Sequence, residues 1–569
     1  MKSIFGNWTT ILGRCSRSLF LLALIPGLGI YDSALAAERV YASYSALERS
    51  ISVSSLEKYA IKGVISEDLA VYTQYFKADQ LEEFRRILLS PIKVDRVAVS
   101  QFLYTPQGEF LLKRLGEVIK NESGQEKSGF HALRSALILA AAEPEGLTLL
   151  NLMRKYPSPG IHINLSRILG IAAEWEQLVN QTNHAIDAIS KRSLIEAANI
   201  PAGMNFSHLS SLKRQGNFAA NKHQFKFFDA SRRRVLLTDI YLPNTKFNIK
   251  NQIPAIVISH GLGSDSTNFR YLANYLVSHG FAVVVPNHPG SDTKQLRSLL
   301  DGSASELAQP EEFYNGPLDV TYILDELERI NRSDSRFGER LNLQQVGLFG
   351  QSFGGYTVLA LAGAKIDYKN LQESCQERAL RKSWNMSLLL QCRAKKLYGS
   401  LQRQGNNLRD ERVKAVIAVN PLTSAIFGEN GLKSLPVPVM IVASSDDTIT
   451  PALYEQILPF SWLNNSRKYL ALLTGATHFS AIGNSASDVG QLPLPSEVVG
   501  EDPVQTRSYV SVLSLPFFQT YVASNRKYAN YLNAAYAKAI SKTTVQVNLV
   551  KSLNQSEIEL DKNKDKDKE

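Results

Sequence analysis

A serine between two glycines is the clearest sign of chemistry in this chain. Ser352 is the centre of the segment GQSFG at 350–354. The residues before it, 343–349, are predicted to form a buried strand, and residues 356–364 after it are predicted to form an apolar helix. A G-x-S-x-G motif on a strand-to-helix turn holds its serine in a strained conformation and exposes the hydroxyl. Ser352 is therefore predicted to be a nucleophile.

A serine hydroxyl attacks a carbonyl only when a base removes its proton. The chain has nine histidines, and only His478 follows Ser352. It comes directly after a strand predicted at 468–473, and in hydrolases with this motif the chain order is serine, acid, histidine. His478 is therefore predicted to be the base. The alternative is a histidine of a surface loop.

The acid is expected in the turn after the strand predicted at 437–443, where Asp446 and Asp447 compete. We favour Asp447, which stands four residues before Pro451 in a D-x-x-T-P turn, as the acid does in hydrolases of this type. Asp446 is then a turn residue. The carboxylate would hold the tautomer of the imidazole.

The third requirement is a pair of amides that stabilise an oxyanion. The strand predicted at 253–259 leads into the loop HGLGS at 260–264. The backbone amides of Leu262 and Phe353 are predicted to be the two donors. His260 precedes the serine in the chain, so we interpret it as a loop-packing residue that bonds backbone atoms.

Three segments carry a family resemblance, namely VISHGLG at 257–263, LVSHGFAV at 276–283 and GQSFGG at 350–355. Together they resemble the plasma-type platelet-activating factor acetylhydrolases and their bacterial relatives, which are related to dienelactone hydrolases. The resemblance covers about residues 222–500. It implies an α/β-hydrolase fold and hydrolysis of lipid-like or short-acyl esters, as by 1-alkyl-2-acetylglycerophosphocholine esterases, without calcium or a cofactor.

The resemblance implies the same site as the motifs: nucleophile Ser352, acid Asp447, base His478, and oxyanion amides of Leu262 and Phe353. Gln351 departs from the lipid enzymes, which often have histidine at this position. The segment GATHF at 475–479 is closer to polyester hydrolases and cutinase-like enzymes. The reaction type is unaffected, whereas the acyl and alcohol specificity stays open.

The positioning elements alternate between strands and helices. Strands are predicted at 223–228, 235–241, 255–259, 281–285, 345–349, 413–419, 439–443 and 469–473. Such alternation forces a mostly parallel sheet with helices on both faces and chemistry at the carboxyl ends of the strands. This domain is predicted to span 222–545. Residues 366–410 are either a lid over the site or a helical extension at its side. Pro516 is expected to break the last long helical region.

The ends of the chain have other roles. Lys2, Arg14 and Arg17 precede an apolar run at 19–30, and Ala34-Leu35-Ala36 then supplies the small residues that a signal peptidase needs. Residues 1–36 are therefore predicted to be a cleavable signal peptide that exports the protein to the periplasm or outside the cell, with an uncleaved anchor as the alternative. Residues 37–200 are predicted to form a mainly helical accessory domain, which resembles a domain of unknown function that precedes hydrolases in cyanobacteria. Residues 201–221 are a predicted linker, and 546–569 a predicted disordered, charged tail.

Composition limits the partners. A formal charge of +10 without a basic helix or RNA-binding motif argues against nucleic acid as a partner, and no metal or cofactor is expected.

The turn SRRR at 231–234 is expected to be a solvated hairpin tip that could contact an anionic membrane surface. Cys375 and Cys392, the two cysteines of the exported form, are either free or joined in a disulfide. The oligomeric state cannot be inferred.

Two classes of function follow. The first is an exported serine carboxylester hydrolase of lipid catabolism, or a polyester-cleaving relative, acting on a small-molecule or lipid ester. The second is a non-catalytic envelope protein that uses the fold for binding.

Overall fold

The computed structural model describes residues 36–558 except 46, 93, 122–128, 201–211, 245–251, 382, 400–406 and 485–495. Residues 1–35 of the predicted signal peptide, 201–211 of the predicted linker and 559–569 of the predicted tail lie outside the described residues. The chain divides into two compact units, residues 1–103 with 108–170, and 104–107 with 171–569. The division at 170 falls within the helix Leu165–Ala198, whereas the sequence suggested a domain end at 200.

The first unit combines helices with a small sheet. Its strands are β1 (Arg39–Tyr44), β2 (Leu47–Ser52), β3 (Ile119–Lys120) and β4 (Gly160–Asn164), in the order β2-β1-β4-β3. Its helices are Val53–Lys62, Glu67–Thr73, Ala78–Leu89, Arg96–Leu103, Pro106–Val118, Phe130–Ala140 and Leu149–Arg154. The sequence predicted helices here but not the sheet, because its strands are two to six residues long and too short for a clear period of two.

The second unit is built on a nine-stranded sheet. The strands are β5 (Ala220–Asp229), β6 (Arg234–Pro243), β7 (Ile253–Ser259), β8 (Ala282–Pro286), β9 (Leu341–Gln351), β10 (Val413–Val419), β11 (Val439–Ser444), β12 (Lys468–Thr474) and β13 (Gln546–Val550), in the order β13-β12-β11-β10-β9-β7-β8-β6-β5. The six strands β7 to β12 are parallel, and β5, β6 and β13 are antiparallel to their neighbours. The predicted alternation of strands and helices is confirmed.

Side chains of successive strand residues enter two separate hydrophobic cores, one on each face of this sheet. On β7, Ala255 and Val257 belong to one core, and Ile256 and Ile258 belong to the other. The central strands are buried on both faces, as parallel strands require. This rigid platform fixes where the strand ends, and the loops that follow them, lie.

Helices cover both faces. They include Arg270–Ser278, Thr293–Leu300, Glu312–Ser333, Phe353–Leu361, Tyr368–Ser374, Glu377–Arg381, Ser387–Gln391, Gly428–Leu432, Leu458–Trp462, Ser496–Val499, Pro503–Tyr521, Ala534–Ile540 and Gln555–Ile558, with a π-helix at Leu453–Ile457 and 3-10 helices at Ser266–Phe269, Cys392–Leu397 and Arg526–Tyr531.

The expected break at Pro516 was wrong, because the helix Pro503–Tyr521 continues through it. Proline has no N–H to donate to the carbonyl of Val512, four residues earlier. The hydroxyl of Tyr536 donates to that carbonyl instead, at 3.4 Å. A tertiary contact thus replaces the missing helical hydrogen bond.

Candidate active site

Ser352 forms a strained turn between β9 and the helix Phe353–Leu361. Its φ is 56° and its ψ is −118°, a conformation that side chains rarely adopt. A Cβ on Gly350 would lie 2.1 Å from the carbonyl oxygen of Gly354, and a Cβ on Gly354 would lie 2.1 Å from the carbonyl oxygen of Ser259. Only glycine fits at either position, which is the physical reason for the G-x-S-x-G pattern.

A chain of hydrogen bonds joins the three predicted side chains. His478, in the loop after β12, has Nε2 3.0 Å from Ser352 Oγ and Nδ1 2.7 Å from Asp447 Oδ2. All three residues are buried. A carboxylate can only accept, so the proton of the neutral ring lies on Nδ1 and Nε2 can accept from the serine. The structure therefore brings together residues that stand up to 126 positions apart.

The two neighbouring aspartates differ sharply. Asp447 accepts from the amides of Ile449 and Thr450 at 2.9 and 2.7 Å through Oδ1, while Oδ2 faces the imidazole and the Thr450 hydroxyl. Asp446 is exposed, and its carboxylate accepts from the Ser445 hydroxyl. The D-x-x-T-P turn thus orients one carboxylate toward His478 and leaves the other in solvent.

The HG-rich loop passes directly against the serine. A Cβ on Gly261 would lie 3.1 Å from the Cβ of Ser352 and 2.5 Å from Oε1 of Gln351. The next residue, Leu262, is half-buried against the main core. Its amide and that of Phe353, the first residue of the helix, have no hydrogen-bond partner among the described residues. Both amides are available to a substrate oxygen.

His260 packs inside the loop, as the sequence suggested. Its Nε2 accepts from the His288 amide at 3.0 Å, and its Nδ1 lies 2.8 Å from the carbonyl oxygen of Gly261, to which it donates. Burial and the neighbouring His288 lower the pKa of His260 to about 3. His260 is thus a neutral ring that fixes the loop backbone.

The comparisons with known families agree with this geometry. Residues 254–377 match the model of the alpha/beta hydrolase fold. The chain contains an alpha/beta hydrolase domain. The match runs from β7 past the turn at Ser352, and it confirms the predicted fold class. Residues 36–164 match a model described as an alpha/beta hydrolase of unknown function (DUF1400). No curated protein matches the chain.

The hydrolase domain holds a second serine, histidine and aspartate that the sequence analysis missed. Ser259 Oγ lies 3.0 Å from Nε2 of His288, and Nδ1 of His288 lies 3.2 Å from Asp319 Oδ2. Ser259 has no exposed surface and ends the strand that precedes the HG loop. No substrate can reach it, so this set braces the loop rather than performing catalysis.

The expectation of a solvated arginine tip at 231–234 was wrong for two of its three arginines. Arg232 pairs with Asp229 at 2.7 Å and Asp319 at 2.8 Å, and Arg234 pairs with Glu312 at 2.9 Å and Asp319 at 2.8 Å. Burial alone would raise the pKa of Asp319, but its hydrogen bonds and ion pairs with His288 and Arg234 hold it below the usual range. Of the tip, only Arg233 is left for an anionic surface.

Two buried amide side chains hold the backbone of the histidine loop. Gln351 Nε2 donates to the His478 carbonyl at 3.2 Å, and Asn420 Nδ2 lies 3.5 Å from the same oxygen. Asn420 itself is strained, with a φ of 45°, and its side chain also bonds Ser444. One signal for both was present in the sequence: Asn420 directly follows the strand predicted at 413–419, and Gln351 comes two residues after the strand predicted at 345–349.

The insertion at 366–410 is fastened to the hydrolase core. Cys375 and Cys392 form a disulfide with Cα atoms 5.6 Å apart. Leu371, Ala394 and Leu397 are buried in the main core. The described part of the insertion is therefore packed against the core of the domain. Its role as a lid over the site stays a prediction.

A buried carboxylate provides a second attachment. Glu455, with no exposed surface, accepts from the amides of Thr423 and Ser424 at 2.7 and 3.0 Å. It also accepts from the side chains of Asn385 and Gln391 in the insertion. One residue therefore joins the insertion to the loop after β10.

A small apolar pocket of about 230 Å³ lies beside the acid turn. Trp384 of the insertion and Trp175 of the helix Leu165–Ala198 contact edge to face in its wall, with ring centroids 5.4 Å apart. Asp447 and Pro451 complete the opposite side. The two tryptophan rings thus give the D-x-x-T-P turn an apolar neighbour.

Within the described part of the chain, no cluster of three or more histidine, cysteine, aspartate or glutamate side chains could hold a metal ion. No helix among the described residues is long and apolar enough to cross a membrane.

Proposed function

We propose that this protein is an exported serine carboxylester hydrolase that acts on lipid-like or short-acyl esters. The single observation that carries the proposal is the continuous hydrogen-bond chain from Ser352 through His478 to Asp447, with the serine held at a positive φ. The hydrolase fold makes hydrolysis the natural reaction class, and the chain of contacts supplies a nucleophile, a base and an orienting acid.

The mechanism has two halves. Ser352 Oγ attacks the ester carbonyl carbon while His478 Nε2 takes the hydroxyl proton, and the oxyanion accepts from the amides of Leu262 and Phe353. The tetrahedral intermediate collapses, the C–O bond to the alcohol breaks, and the imidazolium gives its proton to that alcohol. Water then attacks the acyl-enzyme with the same base, releasing the acid and restoring the serine hydroxyl.

The Asp447 carboxylate stabilises the imidazolium that forms in each half. Its Oδ1 is fixed by two backbone amides, so Oδ2 is always turned toward the ring. The helix that begins at Phe353 adds the positive end of its dipole next to the oxyanion. Both effects are in place before the substrate binds.

Three observations support the substrate class. The segments around Ser352 and in the HG loop resemble acetylhydrolases of platelet-activating factor. The pocket beside Asp447 is walled by Trp175 and Trp384, which favours an apolar substituent. The polyester-hydrolase-like segment around His478 favours a second ester class, cleaved by the same chemistry. A signal-like sequence at 1–36 and the Cys375–Cys392 disulfide support export to an oxidising compartment.

A panel of p-nitrophenyl esters of increasing acyl length, run beside a short-acyl phospholipid and a soluble polyester fragment, tests this proposal. We expect hydrolysis of the short esters, and its loss by at least about 10³-fold in Ser352→Ala. Ser303→Ala, an exposed serine outside the site, is the matched control and should keep wild-type rates. A folded protein that hydrolyses nothing in the panel would favour the non-catalytic binding function.

A further inference from the structure

The first unit contains an apolar cavity that none of Ser352, Asp447 and His478 lines. It has a volume of about 400 Å³ and lies between the β2-β1-β4-β3 sheet and the helices of that unit. This volume falls in the range of roughly 300–1,000 Å³ that small-molecule sites occupy. Phe76 and Leu149 line it and are 54% and 40% exposed, so the cavity is open to solvent at its mouth.

The register of the sheet determines what faces the cavity. Val40 pairs with Ile51 and Ile161, and Ala42 pairs with Arg49 and Ile163. Paired residues of neighbouring strands point to the same face. All six line the cavity. Five of them are apolar, which leaves Arg49 as the one charged side chain on this face.

The other polar residues of the lining are already bonded within the protein. The Ser50 hydroxyl accepts from Arg39, and the Tyr72 hydroxyl donates to the Ser50 carbonyl. Thr73 donates to Ala70, and Tyr156 bonds Asn121.

Arg49 differs from these residues. Its guanidinium has no ion pair or hydrogen bond among the described residues, and it is exposed. Among the described lining residues, Arg49 is the one cation without a partner, and it lies within the edge strand β2. An apolar cavity with such a cation is complementary to one chemical class, a long apolar chain with an anionic head.

We propose that this cavity binds a long-chain carboxylate, with the acyl chain between the sheet and the helices and the carboxylate paired with Arg49. The apolar chain would cover the exposed surface of Phe76 and Leu149. The site does not depend on the proposed esterase activity, although that reaction would release acids of this class.

The test is a competition experiment on the full-length Ser352→Ala protein. A fluorescent fatty acid, 11-(dansylamino)undecanoic acid, is bound and then displaced by palmitate or by 1-hexadecanol. We expect Arg49→Gln to weaken the binding of palmitate by about fivefold or more, which is the upper range for one partly exposed ion pair. The same variant should change the binding of hexadecanol by less than about twofold. Arg96→Gln, an exposed arginine of the same unit outside the cavity, should change neither.

A second variant addresses the chain rather than the head group. Ala42→Trp places a large ring within the cavity and should weaken the binding of both competitors by at least about tenfold. Because Arg49 is exposed, Arg49→Gln should fold even if Ala42→Trp does not. Hexadecyl phosphate in a further arm distinguishes a carboxylate from a phosphate head, and stronger competition by the phosphate would overturn the carboxylate assignment.

Three results would overturn the site. One is failure of palmitate to displace the probe. Another is an equal effect of Arg49→Gln on the acid and the alcohol. The third is binding of the protein to anionic vesicles without binding of dispersed palmitate, which would indicate a membrane contact. Hydrolysis of short esters by the Ser352 enzyme carrying Arg49→Gln should equal the wild-type rate, so failure of this site leaves the proposed function untouched.

Discussion

Asp447→Asn is expected to lower kcat for ester hydrolysis by roughly 10³- to 10⁴-fold without unfolding the protein. The reason lies in how the turn orients the side chain. The amides of Ile449 and Thr450 both donate to Oδ1, so the amide oxygen of an asparagine must occupy that position. Its NH₂ group then replaces Oδ2, which lies 2.7 Å from Nδ1 of His478.

An NH₂ group at this position donates where the carboxylate accepted. Nδ1 of His478 must therefore be the unprotonated nitrogen, and the ring proton moves to Nε2, 3.0 Å from the Ser352 hydroxyl. Nε2 can no longer accept the serine proton. The loss also removes the negative charge that stabilises the imidazolium, and the combined effect corresponds to about 4–5.5 kcal/mol in the activation free energy.

Asp446→Asn is the matched control, because it makes the same chemical change one residue away on an exposed side chain. Its kcat should stay within about twofold of wild type. Rates are measured on p-nitrophenyl acetate, and thermal unfolding of both variants is compared by circular dichroism. An inactive Asp446→Asn, or a folded Asp447→Asn that retains more than a tenth of the activity, would show that Asp447 is not the acid.

Three further predictions concern the framework. Gly354→Ala places a Cβ 2.1 Å from a backbone oxygen and should lower the free energy of unfolding, measured by urea titration, by more than about 3 kcal/mol. In the control Gly399→Ala the new Cβ meets nothing within 4 Å, so this substitution should be tolerated. Glu455→Ala removes a buried acceptor from four donors and should lower the free energy of unfolding by about 3 kcal/mol or more. The exposed Glu429→Ala should lower it by less than about 0.5 kcal/mol, and equal effects would contradict the role of Glu455. The pKa of His260 in the folded protein is lowered to about 3. Between pH 6.5 and 3, the His260 ring therefore takes up a proton only in the unfolded chain. The free energy of unfolding should fall by up to about 1.4 kcal/mol per pH unit as the pH drops through this range. His260→Asn should flatten that slope, and an unchanged slope would show that other groups cause it.

The site residues could be predicted because each follows a strand that the sequence marks clearly. Parallel strands end at the same edge of the sheet, so the loops containing Ser352, Asp447 and His478 had to meet there. The choice between two adjacent aspartates depended on the turn chemistry before Pro451. The structure brings the chosen carboxylate to the imidazole.

The supporting residues could not be predicted in the same way. Gln351 contacts a carbonyl 127 positions away. Ser259 meets His288 only after β7 and β8 pair, and His288 in turn contacts Asp319. Buried amide and hydroxyl side chains do not recur at a regular spacing in the sequence, and the tertiary fold decides which partners they meet. Arg232 illustrates the opposite error: the basic turn at 231–234 predicts a solvated tip, whereas the guanidinium of Arg232 is ion-paired with Asp229 and Asp319.

The central claim is that Ser352, and not another serine, is the activated nucleophile. The most direct measurement is reaction of the folded protein with a fluorophosphonate, followed by peptide mass spectrometry to locate the adduct. We expect a single adduct on Ser352, which is lost in Ser352→Ala, and no adduct on the fully buried Ser259. An adduct on Ser259, or a folded protein that does not react at all, would contradict it.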